Sequence, residues 1–455
     1  MSSKYDLTNG PIFQKLVKLS MPIMATSLMQ TAHNLTNMFW LGFLDENYVA
    51  AAGMSGQFLW LSMSLVMLAR IGTEIGVSQN IGKGEPETAK SFAQNGLMLA
   101  FFFGAVYASC AVIFRTQFIS FFGLENEEVS AIAATYLGIT AISLPFTFTH
   151  FLVTGVYSGF GNTKIPFYIN TAALGLNIVL SPILIFGFNL GIIGAAVSMV
   201  AAAVFNLSMK IWAMTWYKNR PFEKFVPFGR IAWDKIKQIL KWGVPVFFES
   251  AAFTMLFMVV SRLISREFGE GAVAAQSVGI QIESLAFMVG GGFASALTSF
   301  IGQNFGAKKW SRIHSTHRIS FIFMGMYGIL ITAVLFILAN PLVSIFLENE
   351  NSIEMGTMYL RIIALTQVLF CLEGVVVGSF RGRGLTIRPT IVGISSNVLR
   401  VIVTYILAST ALGINGVWIG IAIAMTSKSI VLLLWHKLTI KKLPKLDEVA
   451  IKSEI

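Results

Sequence analysis

Residues 78–84 of this chain read SQNIGKG, and residues 302–308 read GQNFGAK, so a Gln-Asn-x-Gly pattern occurs twice. The two copies are about 223 residues apart, and other small and polar residues recur at nearly the same offset. Repeats on this scale indicate duplication of a whole multi-helix lobe. The matched sets are Pro22 with Pro245; Ala51, Ala52, Gly56 and Gln57 with Ala274, Ala275, Gly279 and Gln281; Gly159, Gly161 and Pro166 with Gly382, Gly384 and Pro389; and Gly191 and Gly194 with Gly413 and Gly416.

The composition indicates that the solvent of this chain is lipid. Of its 455 residues, 55% are hydrophobic and 12% are charged, whereas about 25% of the residues of a soluble domain are charged. A helix needs roughly 20 apolar residues to cross a hydrocarbon core. The sequence contains about twelve apolar stretches of this length. Strands of an outer-membrane barrel are far shorter, and backbone groups in lipid must be hydrogen-bonded internally. The sequence therefore predicts an all-α polytopic membrane protein, with about twelve transmembrane helices in two pseudo-symmetric six-helix bundles.

The charges predict the orientation of this membrane protein. Lys and Arg, which give a formal net charge of +11, collect in the loops on one side, whereas the other loops are acidic. By the positive-inside rule, both termini lie in the cytoplasm, so the basic charge does not indicate a nucleic-acid partner. Cys110 and Cys371 lie inside apolar runs and offer no disulfide framework. We expect a multi-pass protein of the cytoplasmic (inner) membrane of a prokaryote, with lipids as partners and a monomeric state.

The repeat also predicts the division of the chain. We expect an N-lobe over residues 1–215, a basic cytoplasmic linker over residues 216–237 and a C-lobe over residues 238–455. Six helices per half is an even number, so both halves have the same orientation and their pseudo-twofold axis follows the membrane normal. A cleft between two such lobes can open alternately to either side.

The repeated residues resemble a known family, the multidrug and toxic compound extrusion (MATE) transporters, over essentially the whole chain. The resemblance implies a secondary antiporter that expels mostly cationic or amphipathic organic compounds in exchange for H⁺ or Na⁺, with no cofactor beyond the coupling ion. It rests on Pro22 and Gly42, on residues 72–84 with the copy Gln303, Asn304 and Gly306, and on residues 158–163 (SGFGNT) with the copy in residues 381–384 (RGRG).

Individual acidic positions of the family are only partly present in this chain. Glu249, four residues after Pro245, matches the cation-site glutamate of the sodium-coupled branch, so the resemblance implies a site for Na⁺ there. Asn37 stands where members commonly have an aspartate in the first helix. The tenth-helix aspartate of the sodium-coupled branch falls at Phe370, with Glu373 about one turn further on. The choice between H⁺ and Na⁺ therefore stays open.

Charged side chains inside the predicted spans are the candidates for ion coupling. A carboxylate at the bilayer centre costs about 2.5–3.5 kcal/mol, so each needs a cavity, a partner or a proton. Glu249 and Glu283 each lie roughly 16 Å from the start of their helices at 1.5 Å per residue, and Arg400 is also near mid-membrane. We hypothesise that these three form a network in which H⁺ or Na⁺ competes with Arg400 or a cationic substrate. The alternative is a static ion pair that fixes helix packing.

Two further groups of polar residues lie in the predicted spans. Glu373 is a fourth coupling candidate, and Lys210 and Arg361 are expected to reach the interface from helix ends. Polar residues of the first helix recur at helical spacing, which indicates either a cavity face or interhelical hydrogen bonding. The candidate substrate-cavity residues are Met29, Gln30, His33, Asn34, Asn37, Gln57, Trp60 and Gln281.

Two alternatives to drug export are considered. A lipid-linked oligosaccharide flippase of the same superfamily would need a basic cavity for diphosphate groups and often has about fourteen helices, whereas this sequence offers at least three acidic residues and one well-placed arginine. An intramembrane enzyme is not indicated, because the chain lacks His-Glu-x-x-His, Gly-x-Ser-x-Gly and nucleotide-binding loop motifs. We therefore expect neither catalytic residues nor a resident metal.

Overall fold

The computed structural model describes residues 5–44, 46–121, 126–442 and 444, without the side chains of residues 30–35, 37, 38, 46 and 285. The described part of the first half contains α1 (Ile12–Gly42), α2 (Glu46–Lys83), α3 (Pro86–Ile113), α4 (Arg115–Ser120), α5 (Glu127–Ala141), α6 (Leu144–Phe160), α7 (Lys164–Pro182) and α8 (Gly191–Thr215). The second half contains α9 (Trp233–Gly306), α10 (Trp310–Ile337), α11 (Ala339–Ser344), α12 (Glu350–Ala364), α13 (Gln367–Gly382), α14 (Ile387–Ala408) and α15 (Ile414–Ile440). No strand occurs among the described residues.

The order of helices confirms the predicted duplication. Each half has a short helix, α4 or α11, followed by a bent pair, α5 with α6 (48°) or α12 with α13 (52°). In the part of the chain that the structure describes, eight helices are long and apolar enough to cross a membrane, or up to ten if each bent pair is one span. The 74-residue α9 is interrupted by a non-helical residue, Gly269, and covers two predicted spans. With α9 counted twice and α1 added, the fold accommodates the twelve predicted spans.

Matched polar and glycine residues have the same local role in both halves. Asn126 accepts hydrogen bonds from backbone N–H groups at the start of α5, and Asn349 does so at the start of α12, as N-cap residues do. Gly161 follows α6 with a φ of 97°, and its repeat partner Gly384 follows α13 with a φ of 76°. A left-handed φ favours glycine because it has no Cβ. The repeat is therefore maintained by backbone requirements at helix ends.

The described chain forms two compact units whose boundaries differ from the predicted lobes. Unit 1 comprises Ala25–Phe247 with the described part of Met1–Asp6, and unit 2 comprises Leu7–Met24 with the described part of Phe248–Ile455. Both α1 and α9 change unit two residues after a helix-interior proline, Pro22 or Pro245. Proline removes one backbone hydrogen bond and bends a helix. The change of unit therefore falls at the same point of each repeat.

The Gln-Asn pattern of the second half holds the start of the chain in unit 2. Gln303 accepts a hydrogen bond from the Leu7 N–H (3.1 Å), and the Asn304 amide donates to the Leu7 carbonyl (3.2 Å). The Arg312 guanidinium also donates hydrogen bonds to the backbone carbonyls of Leu7, Asn9 and Gly10. These polar contacts explain why Leu7–Met24 belongs to unit 2, although it lies at the N-terminal end of the sequence.

The first turns of α9 pack in unit 1 through close backbone contacts at glycines and through an aromatic stack. A Cβ on Gly243 would collide with the Leu68 carbonyl of α2, and a Cβ on Gly72 would collide with the Ile239 carbonyl. Trp242 stacks on Phe92 of α3, with ring centroids 6.0 Å apart. Small residues allow such close backbone approach between helices in lipid.

Candidate functional site

Four charged side chains of unit 2 form one cluster. Lys428 Nζ lies 2.9 Å from Glu373 Oε1 and 3.7 Å from Glu249 Oε1. Arg381 Nη2 lies 3.8 Å from the other oxygen of Glu249. The carboxylates are the better buried members, with side-chain exposures of 13% for Glu249 and 7% for Glu373. Two carboxylates and two cations balance in charge, as buried ions must.

Helices α9, α13, α14 and α15 build this cluster. Glu249 lies four residues after Pro245 in α9, and the Thr390 hydroxyl of α14 donates to it at 3.4 Å. Glu373, on α13, accepts a 2.8 Å hydrogen bond from the Ser429 hydroxyl of α15. Both carboxylates therefore have a hydroxyl neighbour in addition to Lys428, and the side chains link three helices through ionic contacts.

Gly393 of α14 provides the space that Glu249 occupies. A Cβ on Gly393 would lie 2.5 Å from Glu249 Oε1 and 2.9 Å from its Cδ. Such a contact is too short for two non-bonded heavy atoms, so the carboxylate would have to move away from α14. The position of the carboxylate thus depends on a residue that carries no functional group.

We expect Gly393→Ala to lower ion-driven transport roughly tenfold, because overpacking of about 1–3 kcal/mol displaces the carboxylate without removing its charge. The measurement is initial transport rate in proteoliposomes at equal protein content. Gly291→Ala is the matched control, because its added Cβ meets no atom within 4 Å. Equal rates for both variants would contradict a positional role for Gly393.

Glu283 lies outside this ion-paired cluster, within electrostatic reach of Arg400 but held by hydrogen bonds. It accepts hydrogen bonds from the Tyr359 hydroxyl (2.9 Å) and the Gln367 amide (3.0 Å), and all three side chains are buried. Tyr359 is on α12 and Gln367 is on α13, so Glu283 connects the two arms of the bent pair. Among the described residues, no cation lies within ion-pair distance of this carboxylate.

Arg400, predicted to form a network with Glu249 and Glu283, makes no direct ion pair with either, although it interacts electrostatically with Glu283. The Arg400 guanidinium lies over the Phe253 ring, 5.3 Å from its centroid, and it makes no ion pair in the described part of the chain. Its Nε is buried without a hydrogen-bond partner there. Lys428 has the counter-charge role instead. The sequence signal for Lys428 was a lysine one residue past the middle of the 27-residue apolar helix α15.

Lys210 of α8 does not reach the interface as the sequence suggested. It is fully buried in unit 1, and its Nζ donates to Asn170 Oδ1 (2.8 Å), the Thr154 hydroxyl (2.9 Å) and the His150 carbonyl (3.2 Å). The His150 ring nitrogen is 3.4 Å away. These partners are all uncharged, unlike the carboxylate partners of Lys428. Arg361 is exposed, as expected of a side chain at a helix end.

The remaining predicted residues are only partly described. Gln57, Trp60 and Gln281 are exposed, and Met29 is half-buried with its sulfur 3.2 Å from the Thr171 hydroxyl. Phe370 packs edge-on against Phe287, with centroids 4.4 Å apart. The side chains of Gln30, His33, Asn34 and Asn37 lie outside the described residues, so their role as cavity residues stays a prediction. Within the described chain, no three His, Cys, Asp or Glu residues converge as metal ligands.

Comparison with known sequences identifies relatives of this chain. The sequence model of the MatE family matches residues 22–183 and 245–406, two segments that reproduce the predicted repeat. A probable multidrug resistance protein NorM from Thermotoga maritima is 25% identical, covering 93% of this chain and 92% of its own. The multidrug export protein MepA from Staphylococcus aureus is 24% identical, covering 96% of this chain and 97% of its own.

Solved structures show the same fold. A crystal structure of a MATE protein in a bent conformation superposes with a TM-score of 0.91 at 22% identity, covering 97% of this chain and 98% of the other. A MOP-superfamily transporter from Pyrococcus furiosus gives the same TM-score and identity, covering 98% of this chain and 99% of the other.

Proposed function

Since this chain belongs to the MATE family of transporters, we propose that it exports organic, mostly cationic or amphipathic compounds in exchange for H⁺ or Na⁺ by alternating access. Its site is the cluster of Glu249, Glu373, Lys428 and Arg381. We place the protein in the cytoplasmic membrane of a prokaryote with both termini inside, and we assign it no catalytic residue. The names of the two curated relatives support drug export over the flippase alternative.

The observation that carries this proposal is the position of Lys428 between two carboxylates. Lys428 is close to both Glu373 and Glu249, at 2.9 and 3.7 Å. A proton or Na⁺ that binds either carboxylate removes its attraction for Lys428 and leaves one excess positive charge. Excess charge is unfavourable at this depth, so binding weakens the contact of Lys428 with that carboxylate.

The same exchange would drive movement of helices. Glu249 is on α9, Glu373 and Arg381 are on α13, and Lys428 is on α15. The protonation or ion-bound state of one carboxylate therefore changes how strongly these helices attract each other. A ligand shifts a two-state equilibrium by its difference in affinity for the two states, which is the condition for ion-coupled alternating access.

A cationic substrate would compete for the same carboxylates. An organic cation that reaches Glu249 or Glu373 has the charge of Lys428 or Na⁺, so the bound ion and the bound drug exclude each other. That exclusion is the requirement for antiport rather than symport. The abundant Met and Phe of the chain, 20 and 38 residues, supply side chains that can repack around varied apolar groups.

The experiment is efflux of a fluorescent organic cation from proteoliposomes under separately imposed H⁺ and Na⁺ gradients. We expect one of the two gradients to accelerate efflux, and dye movement in turn to drive counter-movement of that ion. Liposomes without protein are the control. Efflux that ignores both gradients would remove the antiporter, and movement of a fluorescent lipid-linked sugar would favour the flippase.

A further inference from the structure

A second polar cluster lies in unit 2, outside the four-charge site. A cavity of about 400 Å³ is lined by His314, His317, Phe321, Leu433, Leu434, His436, Lys437 and Ile440. These residues come from the first three turns of α10 and the last turns of α15. None of the residues that line it is acidic. We propose that this cavity binds an anionic phospholipid of the cytoplasmic leaflet.

Two nitrogen atoms of this region lack hydrogen-bond partners in the described part of the chain. They are His436 Nε2 and Arg383 Nη1, and each side chain is at most 5% exposed. Buried polar atoms without partners are rare in native proteins. A ligand that brings oxygen atoms into the cavity would give a partner to His436, which lines it.

The contacts of His436 fix what kind of ligand atom is required. Arg383 Nη2 approaches His436 Nδ1 at 3.5 Å, and an arginine can only donate. Nδ1 is therefore the acceptor, and the proton of a neutral His436 is on Nε2. That N–H and the N–H groups of Arg383 Nη1 are buried donors. The cluster consequently requires acceptors, which the oxygens of a phosphodiester supply.

The charges around the cavity favour an anionic ligand. Arg383 contacts His436, and Lys437 is exposed at the cavity. Neither side chain makes an ion pair in the described chain. The His317 ring packs against His436 at an interplanar angle of 55°, with ring centroids 4.7 Å apart, and its Nε2 lies 2.6 Å from the Ser379 hydroxyl. Fixed positive charge, with no carboxylate lining the cavity, selects phosphate over a zwitterionic or cationic group.

The lining changes from polar residues near the helix ends to apolar residues further along the helices. This change favours a lipid over a free phosphate ion. His314, Lys437 and Ile440 lie within one or two turns of the helix ends. Phe321, by contrast, is eleven residues into α10, roughly 16 Å along the helix at 1.5 Å per residue. Leu434 is 59% exposed. A basic end followed by an exposed apolar surface fits a headgroup with its acyl chain. The loop before α10 and the end of α15 are also rich in lysine, as in cytoplasmic loops.

The test uses full-length protein purified in detergent, with lipid binding counted by native mass spectrometry. The probes are phosphatidylglycerol and, for comparison, phosphatidylcholine of the same chain length. Lys437→Gln is the main variant because the side chain of Lys437 is exposed. Lys441→Gln is the matched control, since it makes the same charge change one turn away and does not line the cavity.

We expect the unmodified protein and Lys441→Gln to retain phosphatidylglycerol in preference to phosphatidylcholine. Lys437→Gln should lower the apparent affinity for phosphatidylglycerol about fivefold, the loss that corresponds to about 1 kcal/mol per basic side chain near an anionic lipid. His436→Gln should lower it roughly tenfold or more through loss of a hydrogen bond to a charged acceptor. Thermal unfolding of each lipid-free variant reports whether it is folded.

Three results would overturn the proposal. The first is equal retention of the two lipids by the unmodified protein. The second is an equal loss for Lys437→Gln and Lys441→Gln, which would assign binding to diffuse surface charge. The third is displacement of the lipid by millimolar inorganic phosphate, which would identify a free anion as the ligand. If His436→Gln does not fold, the two lysine variants still decide the question.

Discussion

Glu249→Gln is expected to reduce ion-driven export to the level of protein-free liposomes while the variant still inserts and folds. Glutamine has the shape of glutamate and can still accept the hydrogen bond from Thr390, which is 3.4 Å from the carboxylate. It carries no charge, so it forms no ion pair with Lys428 or Arg381, takes up no proton near neutral pH and binds Na⁺ more weakly than a carboxylate does. The loss therefore falls on coupling rather than on insertion.

The measurement is dye efflux in proteoliposomes under each ion gradient, with insertion checked by the elution profile of the purified variant. Glu270→Gln is the control, because Glu270 is an exposed glutamate in the same helix α9. It should transport at the unmodified rate. Undiminished export by Glu249→Gln would remove Glu249 from the coupling site.

The second large effect is expected for Lys428→Met, which removes the cation shared by Glu249 and Glu373. Breaking a buried ion pair by deleting one partner costs about 3–5 kcal/mol. Lys428 retains 24% side-chain exposure, so water screens part of the interaction. We expect a loss of about 2–3 kcal/mol in unfolding free energy, together with loss of coupled transport.

A double variant separates the ion pair from the packing of the lysine side chain. Glu373→Gln combined with Lys428→Met removes both charges of the 2.9 Å pair. It should be more stable than Lys428→Met alone, because no unpaired carboxylate remains at Glu373. Thermal unfolding of the two single variants and the double variant completes the cycle. Additive losses would show that Lys428 and Glu373 do not interact.

Much of the fold was predictable because lipid leaves few alternatives. Backbone hydrogen bonds must be made within each span, so apolar length translates directly into helices. The repeat in residues 78–84 and 302–308 predicted the second half from the first, and the family segments 22–183 and 245–406 confirm it. Glycines such as Gly161 and Gly384 recur because each helix end requires a left-handed residue.

The candidate site was predicted less completely. Glu249 and Glu373 were identified from the sequence, and the structure brings both to one lysine. The depth of Arg400 along its predicted span favours it as the counter-charge. Gly393, which borders Glu249, lies in the same helix seven residues before Arg400, about 10 Å along the axis at 1.5 Å per residue. The depth of Glu249 estimated from apolar boundaries cannot resolve a difference of this size along α14. Its helix α9 begins at Trp233 and contains a proline bend, which both shift that depth.

The sequence by itself determined the helical class, the duplication and the approximate depth of each charge, since these depend on local chemistry and on distance along the chain. Only the tertiary structure decided which charges meet. Successive residues of a helix differ by about 100° in direction, so small changes of rotation or bend select different neighbours. In this fold Glu249 and Glu373 form ion pairs with Lys428, and Glu283 accepts hydrogen bonds from Tyr359 and Gln367. Lys210 is buried among uncharged groups.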